Sequence, residues 1–293
     1  MRKALLVILC GLNFLSAYPQ ASPGNIKTYG EINFIIHLSR HKLFDEAEKE
    51  KARLFANDSL DPLYKDSVNY FMGMEYYNEK RFAQARDAFL QVSDQVFFYY
   101  RAHYLAGIID AENNRADSAI SNYSAIEEST NEDLNELKQF EIAGMHLLQG
   151  RYKLFDSLAK NYQFKNQLLK TEFANLEQYS ITGKKIKRKS PFIAGALSTV
   201  IPGLGKVYAG NNGQALASFL TCGLMGAVAI ENYLNFGIRH PQTIFFTGVF
   251  GVFYIGNIWG SAVSVQLIKT EKQLENKHNI LVGLKLPVHK FFN

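Results

Sequence analysis

Apolar and polar residues follow two different patterns along this chain, and the change falls near residue 190. Between residues 29 and 180, apolar residues recur at helical spacing among many charged ones, and Pro62 is the only proline. Three apolar segments without a charged residue follow, at 190–205, 213–230 and 243–268. The sequence therefore predicts an all-α protein, in which a helical-repeat solenoid is followed by a transmembrane helical hairpin.

The three apolar segments differ in length, and length decides which of them can cross a bilayer. A membrane span needs about 20 apolar residues at a rise of 1.5 Å each. The segment 243–268 meets this requirement, and 213–232 meets it if Glu231 lies at the interface. The first segment is too short, so we expect it to lie in the interface or to re-enter. The prediction is a hairpin domain over 191–268, and the alternative is a very apolar soluble helical domain.

The region before residue 180 contains an internal repeat of four units. Its aligned positions are Phe44, Phe82, Ala116 and Tyr152, at steps of 38, 34 and 36 residues. Three positions later the units carry Ala47, Ala85, Ala119 and Phe155. Since one helix pair cannot bury its apolar face alone, such units are expected to stack.

This pattern, over roughly residues 30–175, resembles the tetratricopeptide repeat, a helix-turn-helix unit of 34 residues. In that family an aromatic residue follows the turn, and a small residue three positions later lets the two helices approach. The resemblance implies a domain of stacked hairpins, placed at 26–180, that binds protein partners through a concave face. We expect most of its aromatic residues to form the core.

Residues 1–21 have the features of a secretory signal peptide. Arg2 and Lys3 precede an apolar stretch over 4–15, and Ala17 and Ala21 are candidate cleavage sites. The alternative is an anchor helix that is not cleaved.

A basic linker at 181–190 joins the two regions. It holds five cations, namely Lys184, Lys185, Lys187, Arg188 and Lys189. The net charge of +5 owes much to this cluster, which favours contact with a local anionic surface over nucleic-acid binding. We therefore predict that these residues contact lipid headgroups.

A glycine-rich motif follows the first apolar segment. Its residues are Pro202, Gly203, Gly205, Lys206, Tyr208 and Gly210. Proline ends the helix and glycines permit a tight turn at the membrane interface, where the lysine would reach phosphates and the tyrosine would lie among headgroups. The motif resembles that of bacterial, Bacteroidetes-type membrane hairpins of unknown function and, more loosely, the TM2 domain. The resemblance implies no activity.

No pattern typical of catalysis, cofactor binding or metal binding is present. His37 and His41 are four residues apart but lack a third ligand, so neither a metal nor a cofactor is predicted. Cys10 and Cys222 predict no internal disulfide. The tail at 269–293 contains a partly alternating stretch, 279–288, which we interpret as a short strand or as a segment lying along the interface.

The expected function is that of a non-enzymatic, membrane-anchored protein that binds or scaffolds protein partners in the bacterial cell envelope. Two alternatives stay open. One is an assembly factor that forms a homo-oligomer, and the other is an accessory subunit of a transporter or enzyme. Two small-residue pairs, Gly223 with Ala227 and Gly256 with Gly260, are expected to bring the two spans together.

The predicted topology contains a conflict. A cleaved signal places the repeats in the periplasm, with the inner membrane favoured, but the basic linker then lies on the outer side, against the positive-inside tendency. Three explanations remain: cytoplasmic repeats, a linker that holds anionic headgroups on the periplasmic face, or association with the outer membrane's inner leaflet. We favour the second.

Overall fold

The computed structural model describes residues 23–292, which form thirteen α-helices and no strand. The predicted all-α class is confirmed. The predicted signal peptide at 1–21 lies outside the described residues. Two compact units divide the chain between Glu128 and Ser129.

The first unit is built from three consecutive helical hairpins. Its helices are α1 (Pro23–Arg40), α2 (Phe44–Phe55), α3 (Pro62–Asn78), α4 (Phe82–Leu90), α5 (Tyr99–Glu112) and α6 (Ala116–Ala125). Each hairpin turns through one residue with a positive φ, and these residues are Lys42 (65°), Lys80 (61°) and Asn114 (58°). In each case the next N–H bonds back to the carbonyl five residues earlier, at 2.9, 2.8 and 2.8 Å. The three turns therefore share one helix-ending geometry, the Schellman motif.

Small residues allow the paired helices of this unit to approach closely. Ala47, Ala85 and Ala119 are completely buried, as the repeat pattern predicted. Gly73 and Gly107 lie 34 residues apart, and a Cβ at Gly73 would come within 2.8 Å of the Phe89 ring. A Cβ at Gly107 would overlap the ring of Tyr123. These two glycines are not among the positions predicted from the sequence repeat.

A buried carboxylate ties three helices of the first unit together. Asp110 of α5 is completely buried and accepts a 2.7 Å hydrogen bond from Nε of Arg86 on α4. It also lies 3.0 Å from Arg115, and it accepts from the hydroxyl of Ser118 on α6. Through its hydrogen bond, Asp110 raises the pKa of the Arg86 guanidinium above its ordinary value.

The second unit starts with another hairpin and continues into the apolar helices. Its helices are α7 (Glu132–Leu148), α8 (Tyr152–Asn161), α9 (Gln167–Arg188), α10 (Pro191–Val200), α11 (Leu204–Ala209), α12 (Asn212–Phe236) and α13 (Pro241–Phe291). The α7–α8 turn repeats the geometry of the first unit, with Gly150 at φ 70° and a 3.0 Å bond from Arg151 N to His146 O. From Lys42 to Gly150 the turn residues are spaced by 38, 34 and 36 positions, the steps of the sequence repeat.

The predicted linker and tail are both helical. Most of 181–190 belongs to α9, which ends at Arg188, because no proline interrupts it before Pro191. The predicted strand at 279–288 is wrong, since α13 runs through it to Phe291. Ile280, Leu284 and Val288 are buried at intervals of four, which is the helical period.

Two helices, α12 and α13, are long and apolar enough to cross a membrane. Only 17% of the apolar window of α12 and 11% of that of α13 is buried. These helices therefore leave most of their apolar surface uncovered by the protein.

Candidate functional site

The glycine-rich motif folds as the tip and second arm of a short helical hairpin. Gly203 begins α11 at φ 89° and Gly210 ends it at φ 100°, both in the left-handed region that favours glycine. A Cβ on Gly203 would overlap the carbonyl of Ala215, and one on Gly205 would overlap that of Ala194. Glycine is needed here both for the turn and for close backbone approach.

A chain of hydrogen bonds fixes the hairpin tip to α13. The N–H of Gly205 donates to Oγ of Ser198 at 3.0 Å, and Ser198 donates to Oγ of Ser261 at 2.8 Å. Ser261 donates in turn to the carbonyl of Asn257 at 2.8 Å. The N–H of Gly203 donates to Oδ1 of Asn257 at 3.1 Å. Both serines are completely buried, so this network is internal to the unit.

The start of α10 and the end of α11 lie close to Lys269, where the apolar segment of α13 ends. Nζ of Lys269 donates to the carbonyl of Lys189 at 3.5 Å. Nζ of Lys189 donates to the carbonyls of Tyr208 and Ala209, each at 3.0 Å. At the tip, Asn257 lies twelve residues before Lys269, which is about 18 Å along the helix. Hairpin α10–α11 therefore runs along α13 and back again. Whether it re-enters a bilayer or lies in the interface, the two alternatives for 190–205, stays a prediction.

Lys206 of the motif points towards the helices of its own unit. Its Nζ donates to Oγ of Ser218 at 2.6 Å, and a Cβ at Gly260 would lie 3.8 Å from it. Gly260 is nine residues from Lys269, or about 14 Å along α13. From the sequence, this lysine was predicted to reach outwards to phosphates. The hydroxyl of Ser218 instead directs the ammonium towards α12.

A groove of about 380 Å³ opens beside this ammonium, between α11, α12 and α13. Its polar lining consists of Lys206, Gln214, Ser218, Thr221, Cys222 and Asn257. Asn257 is only 5% exposed, and because its Oδ1 accepts from Gly203, its Nδ2 faces away from that bond. Nδ2 has no hydrogen-bond partner among the described residues. The groove thus exposes one cation, and an unpartnered donor is buried in its wall. A cation that faces a groove is a group that can bind an anion.

The five predicted headgroup contacts fall into two groups. Lys184 is paired with Asp156 at 2.7 Å, and Lys189 is bound to the end of α11. The remaining three, Lys185, Lys187 and Arg188, are exposed and make no ion pair with any residue that the structure describes. These three are the cations left available for an external anionic surface.

The predicted small-residue contacts between α12 and α13 are not formed. A Cβ at Gly223 or at Gly256 would have no atom within 4 Å, so neither glycine contacts the other helix, and Gly256 instead lines the groove. The two helices meet where Gly226 lies against the Phe250 ring and where the thiol of Cys222 is 3.7 Å from the carbonyl of Phe253. The Phe250 ring occupies part of the interface that the glycines were expected to form.

Within residues 23–292, no group of three histidine, cysteine or acidic side chains is arranged to hold a metal ion. His37 and His41 lie ring against ring, with centroids 4.3 Å apart. Comparisons with protein-family models, with curated proteins and with solved structures give no match to this chain.

Proposed function

We propose that this protein is a non-enzymatic, membrane-anchored helical-repeat protein that holds protein partners at a bilayer in the bacterial cell envelope. The observation that carries the proposal is the exposure of the apolar helices. A soluble protein buries its apolar helices, whereas α12 and α13 keep most of their apolar windows uncovered. Their outer faces carry large exposed side chains such as Trp259, which is 75% exposed.

The repeats are the proposed partner-binding part. Their resemblance to tetratricopeptide repeats is supported by the recurring turn geometry at Lys42, Lys80, Asn114 and Gly150. Phe97, in the connection between α4 and α5, is fully exposed. A large exposed aromatic side chain is the residue type that most often anchors a protein interface.

The three unpaired cations at the end of α9 are the proposed contact with anionic headgroups. Lys185, Lys187 and Arg188 lie directly before α10, where the chain changes from charged to apolar. Each cation near an anionic surface contributes on the order of 1 kcal/mol.

A second candidate function is a self-associating assembly factor. It is favoured by the exposed position of Gly223, because an exposed small residue lets a further transmembrane helix approach closely. Crosslinking of the full chain in membranes distinguishes a homo-oligomer from a monomeric anchor.

The topology of the proposal is tested with single cysteines at two exposed sites, Ser124 in α6 and Arg239 in the turn between α12 and α13, in a chain lacking Cys10 and Cys222. Whole cells are treated with a thiol reagent that crosses the outer but not the inner membrane. Labelling at 124 alone supports periplasmic repeats on an inner-membrane hairpin. Labelling at 239 alone contradicts it and puts the repeats in the cytoplasm. Labelling at both contradicts an inner-membrane span.

A further inference from the structure

We propose that the groove between α11, α12 and α13 binds the anionic group, a carboxylate or phosphate monoester, of an amphiphile whose hydrocarbon chain lies along the exposed apolar surface. The proposal rests on the membrane anchoring argued above. It concerns Lys206, Asn257 and Ser218, which are separate from the basic residues assigned to headgroup contact.

The first argument is the uncompensated charge of Lys206. An ammonium has three donors, and among the residues that the structure describes this one has a single acceptor, Ser218. The apolar segments 213–230 and 243–268 contain no acidic residue, so no side chain of these two segments can neutralise it. A cation at hydrocarbon depth is costly unless it is paired, and it usually marks a functional site.

The second argument is Asn257, which shares the groove with Lys206. It is more than nine-tenths buried, and its Nδ2 lacks a partner among the described residues. A buried donor without an acceptor costs roughly 1–3 kcal/mol. An anionic oxygen in the groove would pair with the ammonium of Lys206. A small shift of the Asn257 side chain would let Nδ2 donate to the same ligand.

The lining of the groove changes from polar at one end to apolar at the other. Gln214 lies in the first turn of α12 and is exposed, while Val252 and Phe253 of α13 form the far lining and are 71% and 43% exposed. The polar lining is thus continuous with exposed apolar surface. This arrangement suits a molecule with an anionic end and a hydrocarbon chain better than it suits a free anion.

The spans of a second copy do not provide the missing charge, because they lack acidic residues. Glu231 in α12 is thirteen residues beyond Ser218, about 20 Å along the helix, and Glu271 in α13 is eleven residues beyond Gly260, about 17 Å. An acidic side chain on the transmembrane helix of another protein is the competing occupant, and the experiment below separates it from an amphiphile.

The test is native mass spectrometry of the full chain in a neutral detergent. Dodecanoate and dodecyl phosphate are the probes, and acetate and inorganic phosphate are the controls that lack a chain. We expect one amphiphile to bind to the wild type and to Lys170→Met, which removes an exposed cation of α9 that has no assigned role. We expect at least about tenfold weaker binding to Lys206→Met, a loss of about 1.4 kcal/mol.

Asn257→Asp is the second variant, because it keeps the oxygen that accepts from Gly203 and replaces the unused donor with an acceptor. We expect it to lose the amphiphile as Lys206→Met does. Circular dichroism establishes that both variants stay folded, and quenching of Trp259 by brominated lipids reports membrane insertion separately from binding.

Three results would overturn the proposal. The proposed site does not exist if the amphiphile binds equally to all variants, or if it does not bind to a wild-type chain that inserts into membranes. Equally tight binding of acetate or inorganic phosphate shows a free-anion site. A stoichiometric polypeptide that copurifies from membranes with the wild type but not with Lys206→Met assigns the groove to a partner helix.

Discussion

Lys189 and Tyr208 are joined in two ways: Nζ of Lys189 donates to the main-chain carbonyl of Tyr208 at 3.0 Å and lies 5.9 Å from the centre of its ring. The ammonium thereby satisfies carbonyls that the short helix α11 leaves open at its end. It also holds the second arm of hairpin α10–α11 beside the start of the first.

Replacing Lys189 with Met should therefore loosen the hairpin. A hydrogen bond to a charged group contributes roughly 1.5–3 kcal/mol when buried, and we expect about 1–2 kcal/mol at this half-buried site. Thermal unfolding in detergent measures the loss. Lys185→Met is the matched control, since Lys185 is exposed and makes no ion pair with a described residue. An equal loss in both variants would contradict the capping role.

Lys80→Gly should stabilise the repeats. Lys80 has a φ of 61°, a conformation that costs a residue with a side chain about 1–2 kcal/mol and that glycine adopts freely. We expect a gain of about 1 kcal/mol, which raises the melting temperature by roughly 2–4 °C. Lys49→Gly, at an exposed position inside α2, should lose about 1 kcal/mol instead. If both substitutions changed the free energy of unfolding in the same direction, the left-handed conformation assigned to Lys80 would be disproved.

Gly107→Ala should destabilise the first unit, because the new Cβ would overlap the ring of Tyr123. Overpacking of this kind costs roughly 1–3 kcal/mol. Gly30→Ala is the control, since no atom lies within 4 Å of its added Cβ, and it should gain up to about 1 kcal/mol. Adding Tyr123→Leu to Gly107→Ala should recover part of the loss. Chemical denaturation of the full chain measures each variant, and a stabilising Gly107→Ala would show that the helices can separate without cost.

Asp110→Ala should destabilise the first unit. It removes the buried carboxylate shared by Arg86 and Arg115, which are 21% and 48% exposed, and a hydrogen bond between charged groups contributes roughly 1.5–3 kcal/mol. Asp87→Ala removes the other carboxylate next to Arg86, 3.1 Å away and 68% exposed, and should cost about 1 kcal/mol or less. Similar unfolding free energies for the two variants would contradict a structural role for Asp110.

The helical repeats could be predicted from the sequence because their spacing is imposed by close packing. Ala47, Ala85 and Ala119 must be small for the helices to meet, and these positions recur along the chain. The turn residues could not be predicted in the same way. Lys42, Lys80 and Asn114 adopt a conformation that glycine prefers, and the surrounding hydrogen bonds hold it without glycine.

The groove was missed because it depends on a neutral residue. Asn257 carries no charge, so it does not stand out in an apolar segment. Its contact with Gly203 joins positions 54 residues apart, which no local sequence pattern reveals. A local signal did exist. Asn257, Ser261 and Ser264 follow one another at helical spacing in an uncharged segment, and all three are buried on one face of α13. Polar residues placed in this way indicate an internal contact.

The most direct test of the central claim, that α12 and α13 lie in lipid, uses Trp259, the only tryptophan of the chain. Its side chain is 75% exposed, and it lies ten residues before Lys269, about 15 Å along α13. The full chain is reconstituted in vesicles, and the fluorescence of Trp259 is measured with each of two quenchers. One is lipid brominated on its acyl chains, and the other is acrylamide dissolved in the aqueous phase. The account predicts strong quenching by brominated lipids and little by acrylamide. Quenching by acrylamide with no effect of bromination would contradict it and place these helices in a soluble domain.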